Sequence, residues 1–275
     1  MRRHQLRATL AIFRIRFAEG FQYRAAALSG TAIGVFWALI EIVVYSCFFK
    51  YGALASSNDT GMSLGMTVTY VWLGQAIWPL QSMSIDGDIL TKITSGDVGV
   101  ELVRPLDLYG HWYAKTAAGT TGRAWVRAIL TVLIGAVMPA AFRLSAPASW
   151  IGLCLFLFSL VLAILLCNAF AMFVTAIRMN ITLGEGPTYI LMLLSGVLSG
   201  GYIPLRLWPA WMQTFLLWQP FGGFTDVPLQ CYLGLLSPAE AWPRLGLQLA
   251  WTAVFIAGGR ILMKRQLRTI IVQGG

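Results

Sequence analysis

The sequence predicts an all-α integral membrane protein with six transmembrane helices, an N-terminal amphipathic interfacial helix and a broken outer hairpin before the last span. Three observations predict it. Of 275 residues, 57% are hydrophobic and only 11% charged, whereas a soluble globular chain carries about 25% charge. Apolar stretches recur at close to the roughly 20 residues that a helix needs to cross a bilayer. The Lys and Arg residues gather at the ends of those stretches, where the positive-inside effect places them. One polytopic domain over 1–275 is therefore expected, and the net charge of +9 reads as membrane topology, with no nucleic-acid partner.

At the start (1–25), Leu6, Leu10, Phe13, Phe17 and Phe21 recur at helical spacing with Arg3, Arg7, Arg14 and Arg24 among the intervening positions. This is the pattern of an amphipathic helix lying on a membrane surface. No A-x-A-like site closes a short apolar core, so the segment is expected to be retained and not removed as a signal peptide. Spans follow at Ala26–Phe49, Met62–Met83, Ala124–Phe142, Trp150–Ile177, Thr188–Gly201 and Leu245–Met263. Between the last two, residues 202–224 are apolar and Trp-rich but broken by Pro204, Pro209 and Pro220. Proline removes a donor and clashes with the preceding turn, which predicts a re-entrant or interfacial hairpin there.

With six spans and a cytoplasmic N-terminus, sixteen Lys and Arg residues fall inside and only Lys50, Arg143, Arg206 and Arg244 outside. That asymmetry places both termini in the cytoplasm. It also places there the most polar part of the chain, Asp86 to Asp107, which holds five of the eleven acidic residues. A segment this charged does not lie in hydrocarbon. Yet Ile85, Ile89 and Ile93 stand one helical turn apart, and Val98, Val100, Leu102 and Val103 follow. The combination predicts a docking surface for a cytoplasmic protein, the isoleucines giving contact area and the acids orientation.

Catalytic motifs are missing. The chain has no G-x-S-x-G, P-loop or G-x-G-x-x-G pattern, so it has no Walker-type site of its own. Its two histidines, His4 and His111, make no metal-ligand spacing. Cys47, Cys154, Cys167 and Cys231 read as small buried hydrophobes; a Cys47–Cys231 disulfide is an alternative for which spacing gives no geometry. Two polar residues lie inside spans. Glu41 is expected either to line a substrate path or to bond a neighbouring helix, and Asn168 to join helices, with a place on the pathway as its alternative. Gly30/Gly34 and Gly196/Gly200, the latter flanked by Ser195 and Ser199, have the spacing of close helix contacts, within the chain or to a second copy. The aromatics of the broken segment, Tyr202, Trp208 and Trp211 among them, suit an interfacial belt; beside helix breakers such as Pro204 they also suit an outer gate.

The order of these features, together with Ile93-Thr94-Ser95-Gly96-Asp97 and then Glu101-Leu102-Val103-Arg104-Pro105-Leu106, resembles the membrane (permease) subunit of a type 2 ABC exporter. The resemblance implies a permease without catalytic residues, paired with a second identical or homologous permease chain in the bacterial inner (plasma) membrane. Two cytoplasmic ABC ATPase subunits would supply ATP and magnesium. It implies a coupling segment within 84–112 that uses Ile89, Ile93, Gly96, Asp97, Glu101, Arg104 and Pro105, with Gly96 allowing the turn and Arg104 and Pro105 ending it. Without a charge-lined pore, the cargo expected is amphiphilic or lipophilic. Two other classes stay open: an enzyme acting on lipid or isoprenoid phosphates, for which Asp86, Asp88, Lys92 and Arg104 are the nearest cluster, and a non-transporting scaffold.

Overall fold

The computed structural model describes residues 11, 13–19, 24–51, 61–81, 85–102, 107–179 and 185–268. Residues 13–19 are helical. Ten further helices follow: α1 (Arg24–Tyr51), α2 (Leu64–Ile77), α3 (Gly87–Ser95), α4 (Val98–Leu102), α5 (Leu108–Val137), α6 (Trp150–Arg178), α7 (Gly186–Leu198), α8 (Ala210–Trp218), α9 (Asp226–Tyr232) and α10 (Pro238–Leu267). The described residues contain no strand. Local chemistry marks the starts. Ser63 and Ser149 accept the amide N–H of Met66 and Gly152, and Ser237 forms a capping box with Glu240 ahead of Pro238. These side chains satisfy amides that a helix start leaves unpaired.

Four helices, α1, α5, α6 and α10, are long and apolar enough to cross a membrane. Ile33, Phe36, Trp37, Ile129, Leu133, Phe158, Val161, Val254 and Ile261 on them are all more than a third exposed. So much outward apolar surface suits hydrocarbon and not water, which makes this a multi-pass membrane protein. The expected second and fifth spans are shorter than a bilayer core. At 1.5 Å per residue, the 14 residues of α2 and the 13 of α7 rise only ~20 Å, against ~30 Å of hydrocarbon. Pro79 tightens the end of α2 into a 3-10 turn, Trp78–Leu80. The third expected span begins sixteen residues early, because α5 already starts at Leu108.

The helices pack in two groups. In one, α1, α2 and α5 surround one another; in the other, α6 lies along α10, its most extensive partner, with α9 against it. Every residue of α2 from Thr67 to Ile77 is buried. Trp72, fully buried, donates its indole N–H to the Phe142 carbonyl at 2.7 Å. Three glycines of the two pairs meet neighbours within the chain: the Arg127 guanidinium covers Gly30 and Gly34, and a Cβ on Gly200 would lie 2.6 Å from the Tyr70 hydroxyl. Cys47 and Cys231 are free thiols, one exposed and one buried, so the alternative disulfide is not formed.

Candidate functional site

The polar segment folds into a two-helix hairpin. Asp86 opens α3 by accepting the amide N–H of Asp88 at 3.1 Å and of Ile89 at 3.3 Å. Gly96 closes it at φ 81°, the left-handed region where a Cβ is penalised, and α4 starts two residues later. Ile89 and Ile93, 1% and 4% exposed, point inward with Val98 into a cluster with Tyr109 and Trp112 of α5, Met172 of α6 and Met263 of α10. This corrects the expected role of the isoleucines. Their area is spent on the protein's own helices, and a periodic stripe signals burial without saying against whose surface. What remains outward is Gly87, Asp88, Thr91, Thr94, Ser95, Gly96, Asp97 and Leu102. Arg104 and Pro105 lie outside the described residues, as do 1–10, 12, 20–23 and residue 84 of the segments expected around the hairpin.

The acids are engaged in the same way. Glu101 pairs with Lys92 and accepts the Trp112 indole N–H at 2.5 Å. Asp88 pairs with Arg16 and with Lys115 at 3.0 Å, and Lys115 also reaches Asp86 at 3.4 Å. Asp107 meets Arg260 of α10 at 3.1 Å. These carboxylates fasten the hairpin to the N-terminal segment, α5 and α10, so orienting a partner is not their first task. Asp97 differs: it is exposed, accepts the Ser95 hydroxyl at 2.7 Å and stands in no ion pair among the described residues.

Hydrogen bonds from Lys115 and Arg16, with the charge of Lys115, hold the Asp88 carboxyl below its ordinary value. Burial works against the Glu101 charge, but Lys92 and Trp112 outweigh it and leave that carboxyl lowered too. A lowered folded pKa contributes stability above the unfolded value of about 4, lost as pH falls through the folded value. Limited proteolysis of the hairpin is therefore expected to be constant from about pH 8 to pH 5 and to rise only below about pH 4. A rise near pH 6 would contradict the assignment.

The N-terminal segment crosses α5 at Gly122, where a Cβ would sit 2.6 Å from the Phe17 carbonyl oxygen. Its Phe13 and Phe17 rings stack at 6.0 Å. Gly122→Val is expected to lift this crossing at a cost of about 1–3 kcal/mol and to part Arg16 from Asp88, read as faster trypsin cleavage after Arg16. Unchanged cleavage would place the segment elsewhere.

At the opposite end, three buried polar links join the broken segment to the long helices. Asp226, 4% exposed, lies 2.9 Å from the Tyr70 hydroxyl, accepts the Leu205 amide at 3.2 Å and is bonded by the Gln230 amide. Tyr70 also reaches the Gly200 carbonyl at 2.9 Å. Gln81 donates to Thr225 and accepts from Ser199 at 3.3 Å. Gln248 accepts from Ser159 at 3.1 Å and donates to the Gly223 carbonyl at 2.7 Å. Of these side chains only Ser199 was singled out from the sequence, as a flank of the Gly196/Gly200 pair. The available signal was that Asp226 is the only acid between Glu185 and Glu240, in a stretch otherwise read as aromatic belt.

The residues expected on a pathway are held as follows. Glu41 accepts from Gln75 of α2 at 3.3 Å, a bond between neighbouring helices. Asn168, 1% exposed, donates to the Ile164 carbonyl of its own helix at 2.7 Å, and its side-chain oxygen has no partner among the described residues. Its expected role in joining helices is corrected. Tyr202 accepts the Tyr45 hydroxyl on its carbonyl at 3.0 Å and meets Trp78 edge-on at 5.1 Å. Pro204 precedes the 3-10 turn Leu205–Leu207. Trp208 donates to Ile203 at 3.4 Å, and Trp211 is 80% exposed. Tyr202, Pro204, Trp208 and Trp211 share the broken segment, which Tyr45, one helical turn from Glu41, bonds at the Tyr202 carbonyl. Neither a scan against protein-family models nor a search of curated proteins finds a match to this chain.

Proposed function

We propose that this chain is the permease subunit of an ATP-driven exporter of the type 2 ABC kind, working as a pair of permease chains with two cytoplasmic ATPases. In this reading α2 with its 3-10 turn and α7 complete six crossings, both termini lie on the cytoplasmic side of the bacterial inner membrane, and an amphiphilic or lipophilic cargo moves outward. Short crossings are tolerated where local thinning of the bilayer meets them, and the burial of α2 keeps it away from lipid.

The observation that carries the proposal is the anchored hairpin. Its outer surface is small and polar around Gly96 and Asp97, while its inner surface is locked through Ile89, Ile93 and Trp112 to α5, α6 and α10 at once. Packed clusters transmit displacement instead of absorbing it. A partner that pushes on α3 and α4 therefore moves the ends of three long helices together. Approach of two ATPases on binding ATP would shift the bundle between two arrangements, as rigid-body transitions require. The enzyme alternative loses its carboxylates, since Asp86 and Asp88 are committed to Lys115 and Arg16.

The test is purification of the tagged chain in mild detergent with assay of ATP hydrolysis, comparing wild type with Gly96→Pro and Glu101→Arg. A co-purifying ATPase that either change releases is the expected result. Recovery without any nucleotide-binding protein would overturn the proposal.

A further inference from the structure

We propose that the cleft of about 620 Å³ between the broken segment and the start of α10 binds the anionic head group of an amphiphile through Arg206 and Arg244, with its apolar part on Leu217, Leu247 and Trp251. Both guanidiniums line the cleft. Arg206 donates to Gln230 at 3.1 Å and to the Leu235 carbonyl at 2.6 Å. Arg244 donates one terminal N–H to the Leu217 carbonyl at 2.7 Å. Those bonds aim the two side chains without neutralising them, and among the described residues neither stands in an ion pair.

Two carboxylates stand in the same wall, and each is already used. Asp226 is bonded by Tyr70, Leu205 and Gln230, and Glu240 by the Ser237 amide and hydroxyl at 2.9 and 2.7 Å. The charge of Asp226 acts on Arg244 more strongly than that of Arg206, yet among the described residues no carboxylate stands within ion-pair distance of either guanidinium, which leaves both open to a further acceptor. Guanidinium forks suit the oxygens of a phosphate or carboxylate. The remainder of the wall is apolar: Leu217 is 41% exposed, and Leu247 and Trp251 continue the surface along α10. Free phosphate would leave this strip unused, whereas a lipid-like ligand covers it. The leaflet that the cleft faces rests on the topology proposed above; the binding itself does not.

Native mass spectrometry of the purified chain in maltoside detergent tests this by titration with phosphatidylglycerol, with uncharged diacylglycerol and with inorganic phosphate. Wild type is expected to retain phosphatidylglycerol and not diacylglycerol, and millimolar phosphate is expected not to displace the lipid. Arg244→Gln should weaken retention about tenfold, the loss of one charge-assisted contact. Leu247→Glu should do the same with both arginines kept, because a carboxylate on the apolar strip repels the anionic head group and takes away contact area for the lipid's apolar part. Equal retention of diacylglycerol, displacement by free phosphate, or undiminished binding in both variants would each overturn the inference. The ATPase assay reads the other end of the molecule, so co-purification without lipid retention sinks this inference alone, and retention without an ATPase sinks the permease reading alone.

Discussion

The Ile89→Asp variant is expected to release the hairpin from the helix bundle. Ile89 is 1% exposed and packs with Ile93, Tyr109, Trp112 and Met263. Losing a buried isoleucine costs about 2–5 kcal/mol, and a carboxylate left in the same space adds a desolvation cost of several more. A hairpin of 9 and 5 helical residues cannot stay seated against that. Lys92, held by Glu101 in the wild type, becomes accessible, and trypsin cleavage after it should quicken by about a hundredfold or more, as expected when cleavage tracks the open population. Thr94→Asp, at an outward position, should leave the rate near wild type. Equal protection of Lys92 in Ile89→Asp would mean that the isoleucines do not anchor the hairpin.

The second large effect is expected at Asp226. Asp226→Ala leaves the Leu205 amide and the Gln230 amide without their acceptor, while the Tyr70 hydroxyl keeps the Gly200 carbonyl. Each buried donor left unpaired costs about 1–3 kcal/mol. With 1 kcal/mol shifting Tm by about 2–4 °C in a protein of this size, a fall on the order of 10 °C is expected in detergent. Asp226→Asn keeps one acceptor oxygen and should fall by less. A Tm unchanged in Asp226→Ala would remove the network from the interactions that hold the broken segment on α2.

The four long helices were legible because each holds an apolar stretch close to bilayer length, although α10 begins at Pro238, ahead of the Leu245 expected. The early start of α5 was not. Residues 108–123 include Lys115, Arg123 and several threonines, which score as polar, yet Lys115 is 6% exposed because it meets Asp86 and Asp88. A salt bridge to residues more than twenty positions away hides helix from any local pattern. The same limit hid the Tyr70–Asp226 contact, 156 residues apart in sequence. The stripe at Ile89 and Ile93 was visible and its direction was not, since periodicity locates an apolar face and packing alone chooses what covers it. Glu41 showed as an intramembrane acid, and only the placement of Gln75 one helix away reveals its bond.

A photo-reactive amino acid placed at Thr94, Ser95 or Asp97 in living cells tests the permease reading at its narrowest point. These residues are outward on a hairpin whose inner side is fully occupied. A cross-link at these positions to a protein that is itself labelled by a photo-reactive ATP analogue is expected, with none from Trp211 at the opposite end. Cross-links confined to lipid or to the chain itself would mean that no ATPase sits on the hairpin, and the coupling role would fall.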